Sequence, residues 1–238
     1  MKKTFVIITV LLLGIKSYAQ DQLVVDPNAE MRTIAGSFNA IIISGGIDLY
    51  LTQSESEAVA VSAADEKDKS GIKTIVEFNT LRISFAGGKG FRMKNRQIKV
   101  YVSFKTLESL SASGASDVIV AGKIAAKQLK MKFSGASDFK GVVAVNVLVM
   151  DLSGASGIHI SGNAANVSIQ SSGASDVNGF GLVTDICEAN ASGASDIDIT
   201  VNKELTARAS GASEISFRGS ATLKEVHKSG ASSVEKRG

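Results

Sequence analysis

The tetrapeptide Ser-Gly-Ala-Ser occurs seven times in the chain, beginning at Ser113, Ser134, Ser153, Ser172, Ser192, Ser210 and Ser229. The starts lie 21, 19, 19, 20, 18 and 19 residues apart. A motif that returns at a nearly fixed interval marks a stack of one small structural unit. Each unit is too short to close a core alone and buries its apolar face against its neighbours.

The residues around the motif say what the unit is. Ahead of successive copies, Leu129, Met131 and Phe133 alternate with Lys130 and Lys132, and Leu148, Met150 and Leu152 alternate with polar Asp151 on the other face. Val167, Ile169 and Ser171 follow, then Cys187, Ala189 and Ala191, then Leu205, Ala207 and Ala209. Behind the motif, Val118 and Val120, Ile158 and Ile160, Ile197 and Ile199, and Ile215 and Phe217 keep the same phase. A period of two is that of a half-buried strand. Each coil therefore reads as strand, corner, strand, loop, with Gly-Ala at the corner because glycine accepts backbone angles that other residues resist. The fold predicted is all-β: a parallel β-helix of 19–20-residue coils, right-handed like nearly all crossovers between parallel strands. Pro27 is the only proline, as uninterrupted strand pairing requires. Lys228 and Lys236 fall in the inward phase of the last coil, so Lys224–Gly238 is expected to be a capping turn with a short frayed tail.

The first nineteen residues stand apart. Lys2 and Lys3 precede the apolar run Thr4–Ile15, and Ser17 and Ala19 are small residues at a cleavage position. This is the pattern of a signal peptide, too short to span a bilayer. Cleavage is expected after Ala19, with Gln20 the new terminus and no cysteine there to carry a lipid. Loss of Lys2, Lys3 and Lys16 takes Lys plus Arg from 26 to 23, against 23 acids. The mature chain is then near neutral, which argues against nucleic acid as a partner. Cys187 is the only cysteine, and its inward phase predicts a buried, inert thiol.

In the first half, Phe38–Leu51 is a degenerate coil in which Ser44-Gly-Gly-Ile-Asp48 replaces Ser-Gly-Ala-Ser-Asp. Strands are expected at Val59–Ala63, Ile72–Phe78, Leu81–Phe85 and Ile98–Phe104, with a tight hairpin link at Asn79-Thr80. The division expected is a signal peptide at 1–19, a lead-in at 20–37 and one β-helical domain at 38–238. Within that domain, 50–105 forms a small antiparallel sheet inserted near the start of the helix, and 106–238 holds the repeat coils.

Ile43–Thr52, Ile98-Lys-Val-Tyr-Val102 and Leu107–Asp117, together with the later repeats, resemble the head GIN domain proteins, the family described as auto-transporter adhesin heads. The resemblance spans roughly 38 to 234. It implies an exported β-helical domain and, by the family's name, adhesion; it carries no binding residues with it. With the chain running to Gly238, self-transport through a C-terminal barrel is not expected.

Two surface features could carry chemistry. An acid follows the motif in most coils, at Asp117, Asp138, Asp176, Asp196 and Glu214, with Asp48 in the degenerate copy and Gly157 and Ser233 as interruptions. Stacking would set Asp176, Asp196 and Glu214 side by side. Like charges ~4.8 Å apart repel by roughly 1 kcal/mol even in water. Hydrogen bonds from corner amides and serines are the expected remedy; a hard cation such as calcium is the functional alternative at those three residues. No other cofactor is expected. The second feature is the basic stretch holding Lys89, Phe91, Arg92, Lys94 and Arg96, suited to an anionic glycan or lipid headgroup. His159 and His227 read as surface residues, and Gly87-Gly-Lys-Gly90 lacks the spacing of a phosphate loop.

No catalytic constellation emerges. The function expected is a non-enzymatic adhesin or envelope-binding module, located in the periplasm, on the outer surface or secreted. Its partner is a cell-surface or envelope glycan or protein, with no transmembrane anchor. The alternatives are a lyase- or hydrolase-like polysaccharide enzyme, using paired carboxylates, and a structural envelope protein without a specific ligand.

Overall fold

The computed structural model describes residues 26–85 and 97–238. The expected leader and the basic stretch at 89–96 lie outside them. The elements run β1 (Glu30–Arg32), β2 (Ala40–Ser44), β3 (Asp48–Gln53), β4 (Ala58–Ser62), α1 (Glu66–Gly71), β5 (Ile72–Glu77), β6 (Thr80–Phe85), β7 (Lys99–Phe104), β8 (Ser109–Ser113), β9 (Asp117–Phe133), β10 (Asp138–Leu152), β11 (Gly157–Ser171), β12 (Asp176–Ala191), β13 (Asp196–Gly211), β14 (Glu214–Arg218), β15 (Thr222–Gly230) and β16 (Ser233–Lys236). They build a β-solenoid of about seven turns with coils of about 19 residues.

Strands β9 to β13 each bend through most of a coil, and their consecutive pairings are parallel. The bends show in the phase of burial. In β10 the inward side chains are Phe139, then Val143 and Val145, then Leu148, Met150 and Leu152, all at most 4% exposed. The step from Val145 to Leu148 is three residues rather than two, so the chain turns there. Stacking such coils makes one continuous core from Phe38 to Phe217. The alanines at 189, 191, 207 and 209 and the thiol of Cys187 lie inside it.

The Ser-Gly-Ala-Ser corners are a second column, held by the backbone. The amide of Ala136 donates to Gly114 O at 2.8 Å, Ala155 to Gly135 at 2.7 Å, Ala174 to Gly154 at 2.8 Å and Ala194 to Gly173 at 2.7 Å. The column is tight: a Cβ on Gly135, Gly154 or Gly193 would stand 2.5 Å from the carbonyl oxygen of the glycine one coil below, and these glycines have φ between +78° and +82°. The last serine of each motif turns inward. Ser137 Oγ donates to Ser134 O at 3.0 Å, and Ser156, Ser175 and Ser195 repeat the bond, so these buried hydroxyls are satisfied.

The first half is woven into the solenoid rather than forming a separate sheet. β6 and β8 flank β2 in parallel, and β7 and β9 flank β3 in parallel. Only β1, β4 and β5 join antiparallel, through β1–β4, β4–β7 and β5–β6. The inserted segment thus contributes two coil strands and a short antiparallel edge. Short strands spaced irregularly along the chain conceal such pairing, because the partner is chosen by the core they share. The hairpin link is Phe78-Asn79, with φ of 49° and 57°, one residue earlier than expected. The single turn of α1, which no periodic pattern announces, is tied by a 2.6 Å ion pair from Lys69 to Glu66.

The C-terminal coil is complete rather than frayed. β15 pairs with β13 and β16 with β14, through Lys236. Lys228 stands in register with Ala209 and Lys236 with Phe217. Every residue of β15 is exposed. The backbone ladder continues because its hydrogen bonds do not depend on the side chains, while lysines in the inward phase close the series to a further coil.

Candidate functional site

Constant coil length places outward side chains in straight rows. Where the coil leaves the corner, one row runs Lys99, Asp48, Asp117, Asp138, Gly157, Asp176, Asp196, Glu214, Ser233. It brings Asp176, Asp196 and Glu214 together as the sequence suggested. It also makes a second run of Asp48, Asp117 and Asp138, which sequence reasoning missed. Asp48 was recognisable as the equivalent residue, but its contact with Asp117 depends on β3 lying against β9, some seventy residues away.

Gly157 separates the two runs. Its amide donates to Asp138 Oδ1 at 2.8 Å, and a Cβ there would stand 2.8 Å from the same oxygen. Asp117 accepts in the same way from the amide of Asp138, and Asp196 from that of Glu214. Partial burial raises the carboxyl of Asp117, helped by the charges of Asp48 and Asp138. Asp196 is raised by partial burial and by Asp176 and Glu214. Glu214 moves the other way, lowered by the hydroxyl of Ser216 at 2.7 Å and by Arg237. Asp198, one row over, is raised by burial and by Glu214 and Asp196, against Arg237 and Arg218. These residues edge an open depression of about 450 Å³ in which Arg218 lies 4.1 Å above the ring of Phe180. Among the described residues, no group of three or more His, Cys, Asp or Glu side chains is disposed to hold a metal ion.

The other outward face, leading into the corner, carries the larger depression, about 740 Å³. One row there is Lys132, Asp151, Gln170, Asn190, Arg208, His227, and beside it run the first serines of the motifs, Ser172, Ser192, Ser210 and Ser229. Serine is the smallest polar side chain in these rows, so the surface dips along it. Arg208 is held by Glu188 at 3.0 Å and Glu225 at 2.8 Å, and Lys132 approaches Asp151 at 3.7 Å. This groove was also missed. Its outward phase was readable residue by residue, but which side chains neighbour one another follows only from the coil register. His227 lies in the groove and bonds to Glu225 at 2.5 Å, whereas His159 is exposed between Lys140 and Asn178. Cys187 is 1% exposed and takes part in neither surface; burial, and then the charge of Glu188, push its thiol up to about 12. Lys89, Phe91, Arg92, Lys94 and Arg96 lie outside the described residues, so their placement relative to either face is not described. No helix of the described residues is long and apolar enough to cross a membrane.

A parallel β-solenoid with repeated polar rows on its outer faces defines a class of rod-like modules that present an extended surface. Within that class, the chain belongs to the family described as "Putative auto-transporter adhesin, head GIN domain", whose model matches residues 37–221. Among solved structures, it is similar to a "putative adhesin" from Bacteroides fragilis, with a TM-score of 0.81 at 21% identity over 89% of this chain and 98% of that one. A "putative adhesin" from Parabacteroides distasonis matches with a TM-score of 0.70 at 20% identity, over 88% and 96% of the two chains. A "Putative lipid binding protein" from the same organism matches at 0.68 and 20%, over 90% and 98%. At these identities the likeness is one of fold. The comparison with curated proteins returned no match.

Proposed function

We propose that the chain is an exported, non-enzymatic binding module of the cell envelope, an adhesin-type rod whose outer faces hold a surface glycan or envelope partner. The observation that carries this reading is the repetition of the outward rows. A ligand with a short repeat of its own meets a similar group at every coil, and many individually weak contacts then add up. General acid–base chemistry, by contrast, needs two groups whose surroundings push them apart in pKa. Asp117 and Asp196 occur in nearly equivalent surroundings, both raised and both accepting an amide from the next coil. Membership of an adhesin family supports the same reading. The sequence adds a contact of its own: the cluster Lys89, Arg92, Lys94 and Arg96, with Phe91 among them, would draw an anionic surface towards the rod.

The test is adherence of beads carrying the mature chain to envelope preparations and to arrayed polysaccharides and lipids. The reading expects saturable retention with no release of sugar fragments. Retention no better than bare beads would overturn it, and turnover of a polysaccharide into shorter products would replace it with the enzyme reading.

A further inference from the structure

We propose that the groove running from Asp151 to Ser229 binds an extended, carboxylate-bearing polysaccharide, with the acidic sugar seated at Lys228. The inference rests on the binding-module reading and names the site and ligand class for it. The groove is lined by hydroxyls, amides and charges, and its apolar contribution is limited to small side chains such as Ala191 and Ala209. An acyl chain or an apolar peptide would find no surface there to bury. A polyhydroxylated chain would find donors and acceptors at each level.

Several of these groups have unused hydrogen-bonding capacity. The Gln170 amide, the Ser210 and Ser229 hydroxyls and the Lys228 ammonium donate to no other described residue. Arg208 is anchored from one side by Glu188 and Glu225, which fixes its guanidinium beside the groove and largely neutralises it. Asp151 faces Lys132. Lys228 is therefore the cation of the lining without a counter-ion among the described residues. It owes its exposure to the terminal coil, since its register partner Ala209 is buried one level below. A carboxylate on the ligand supplies the missing partner.

The spacing fits as well. Successive coils stand roughly 4.8 Å apart, close to the advance of one sugar unit in an extended glycan. Five levels, those of Asp151, Gln170, Asn190, Arg208 and His227, can thus each meet one unit.

The experiment titrates the mature chain with oligogalacturonate and with cello-oligosaccharides of equal length, beside anionic vesicles. Three variants are compared with the wild type: Lys228→Ser, Gln170→Ala with Asn190→Ala, and Arg92→Ser with Lys94→Ser and Arg96→Ser. The inference expects oligogalacturonate to bind the wild type more tightly than the neutral sugar. Lys228→Ser should remove that preference with at least a tenfold loss, the amide pair should weaken both sugars, and the three serines at 92, 94 and 96 should leave both unchanged. Lys228 is fully on the surface, so its variant keeps the fold, checked by an unchanged melting temperature. If oligogalacturonate binds and Lys228→Ser binds it equally well, the groove is the wrong site and the module reading stands. Preference for the neutral sugar or for vesicles overturns the ligand class. If no sugar, vesicle or envelope preparation is retained, both the inference and the module reading fall.

Discussion

Gly154 and Gly135 approach so closely that a Cβ on Gly154 would lie 2.5 Å from the Gly135 carbonyl oxygen, the same oxygen that accepts the Ala155 amide at 2.7 Å. The contact recurs up the stack and makes glycine a packing requirement as well as a conformational one. Gly122 provides a matched control, because it has the same φ of +81° but nothing within 4 Å of the Cβ position. Gly122→Ala should cost only the left-handed penalty, about 1–2 kcal/mol. Gly154→Ala should cost at least ~2 kcal/mol beyond that, from overpacking against backbone. Denaturant melts of the two variants measure the difference; equal losses would mean that the corners are not close-packed.

The carboxylate row should make stability depend on pH in the unusual direction. Asp48, Asp117, Asp196 and Asp198 have folded pKa values raised above their ordinary ones. Their contribution is fully present below the unfolded value near 3.9 and is lost as pH rises through the raised folded values. Glu214, lowered, acts oppositely: its contribution is present above its unfolded value and lost as pH falls through the folded one. Asp196→Asn should therefore melt slightly higher than wild type at pH 7, by less than about 1 kcal/mol for so exposed a group, and the gain should vanish near pH 4. A loss at pH 7 would show that the charge is needed.

Phe78 sits at the β5–β6 hairpin with φ of 49° and 97% of its surface exposed. Glycine accepts that backbone without strain. Phe78→Gly should raise stability by about 1 kcal/mol, the lower end of the left-handed penalty, seen as a higher melting temperature. A lower one would mean that the ring packs against part of the chain outside the described residues.

Cys187 should resist labelling by a thiol reagent at pH 8 until the protein unfolds, because the thiol is buried and its pKa is pushed up to about 12. Rapid labelling of the folded chain would place it at the surface.

The solenoid was legible in the sequence because Ser113, Ser134 and their successors mark each coil, and alternation around them separates inside from outside. Cys187 could be assigned to the core by phase alone. The N-terminal coils were harder, since β6 and β7 carry no motif and pair with β2 and β3 across intervening chain. Only the shared core positions them. The acidic row was half visible: Asp176, Asp196 and Glu214 follow from coil spacing, while Asp48 joins Asp117 through a pairing that no local pattern encodes. The groove was least visible of all. Gln170, Asn190 and Arg208 are ordinary outward residues, and only the register that aligns them makes a lining.

Binding affinity as a function of ligand length tests the central claim most directly, that repeated coils present a repeated binding surface. A calorimetric series of oligogalacturonates, from dimer upwards, should show affinity climbing with each added unit and levelling off near five, the number of levels in the groove. Affinity that is independent of length, or that is complete at the dimer, would contradict the account and point to one compact pocket.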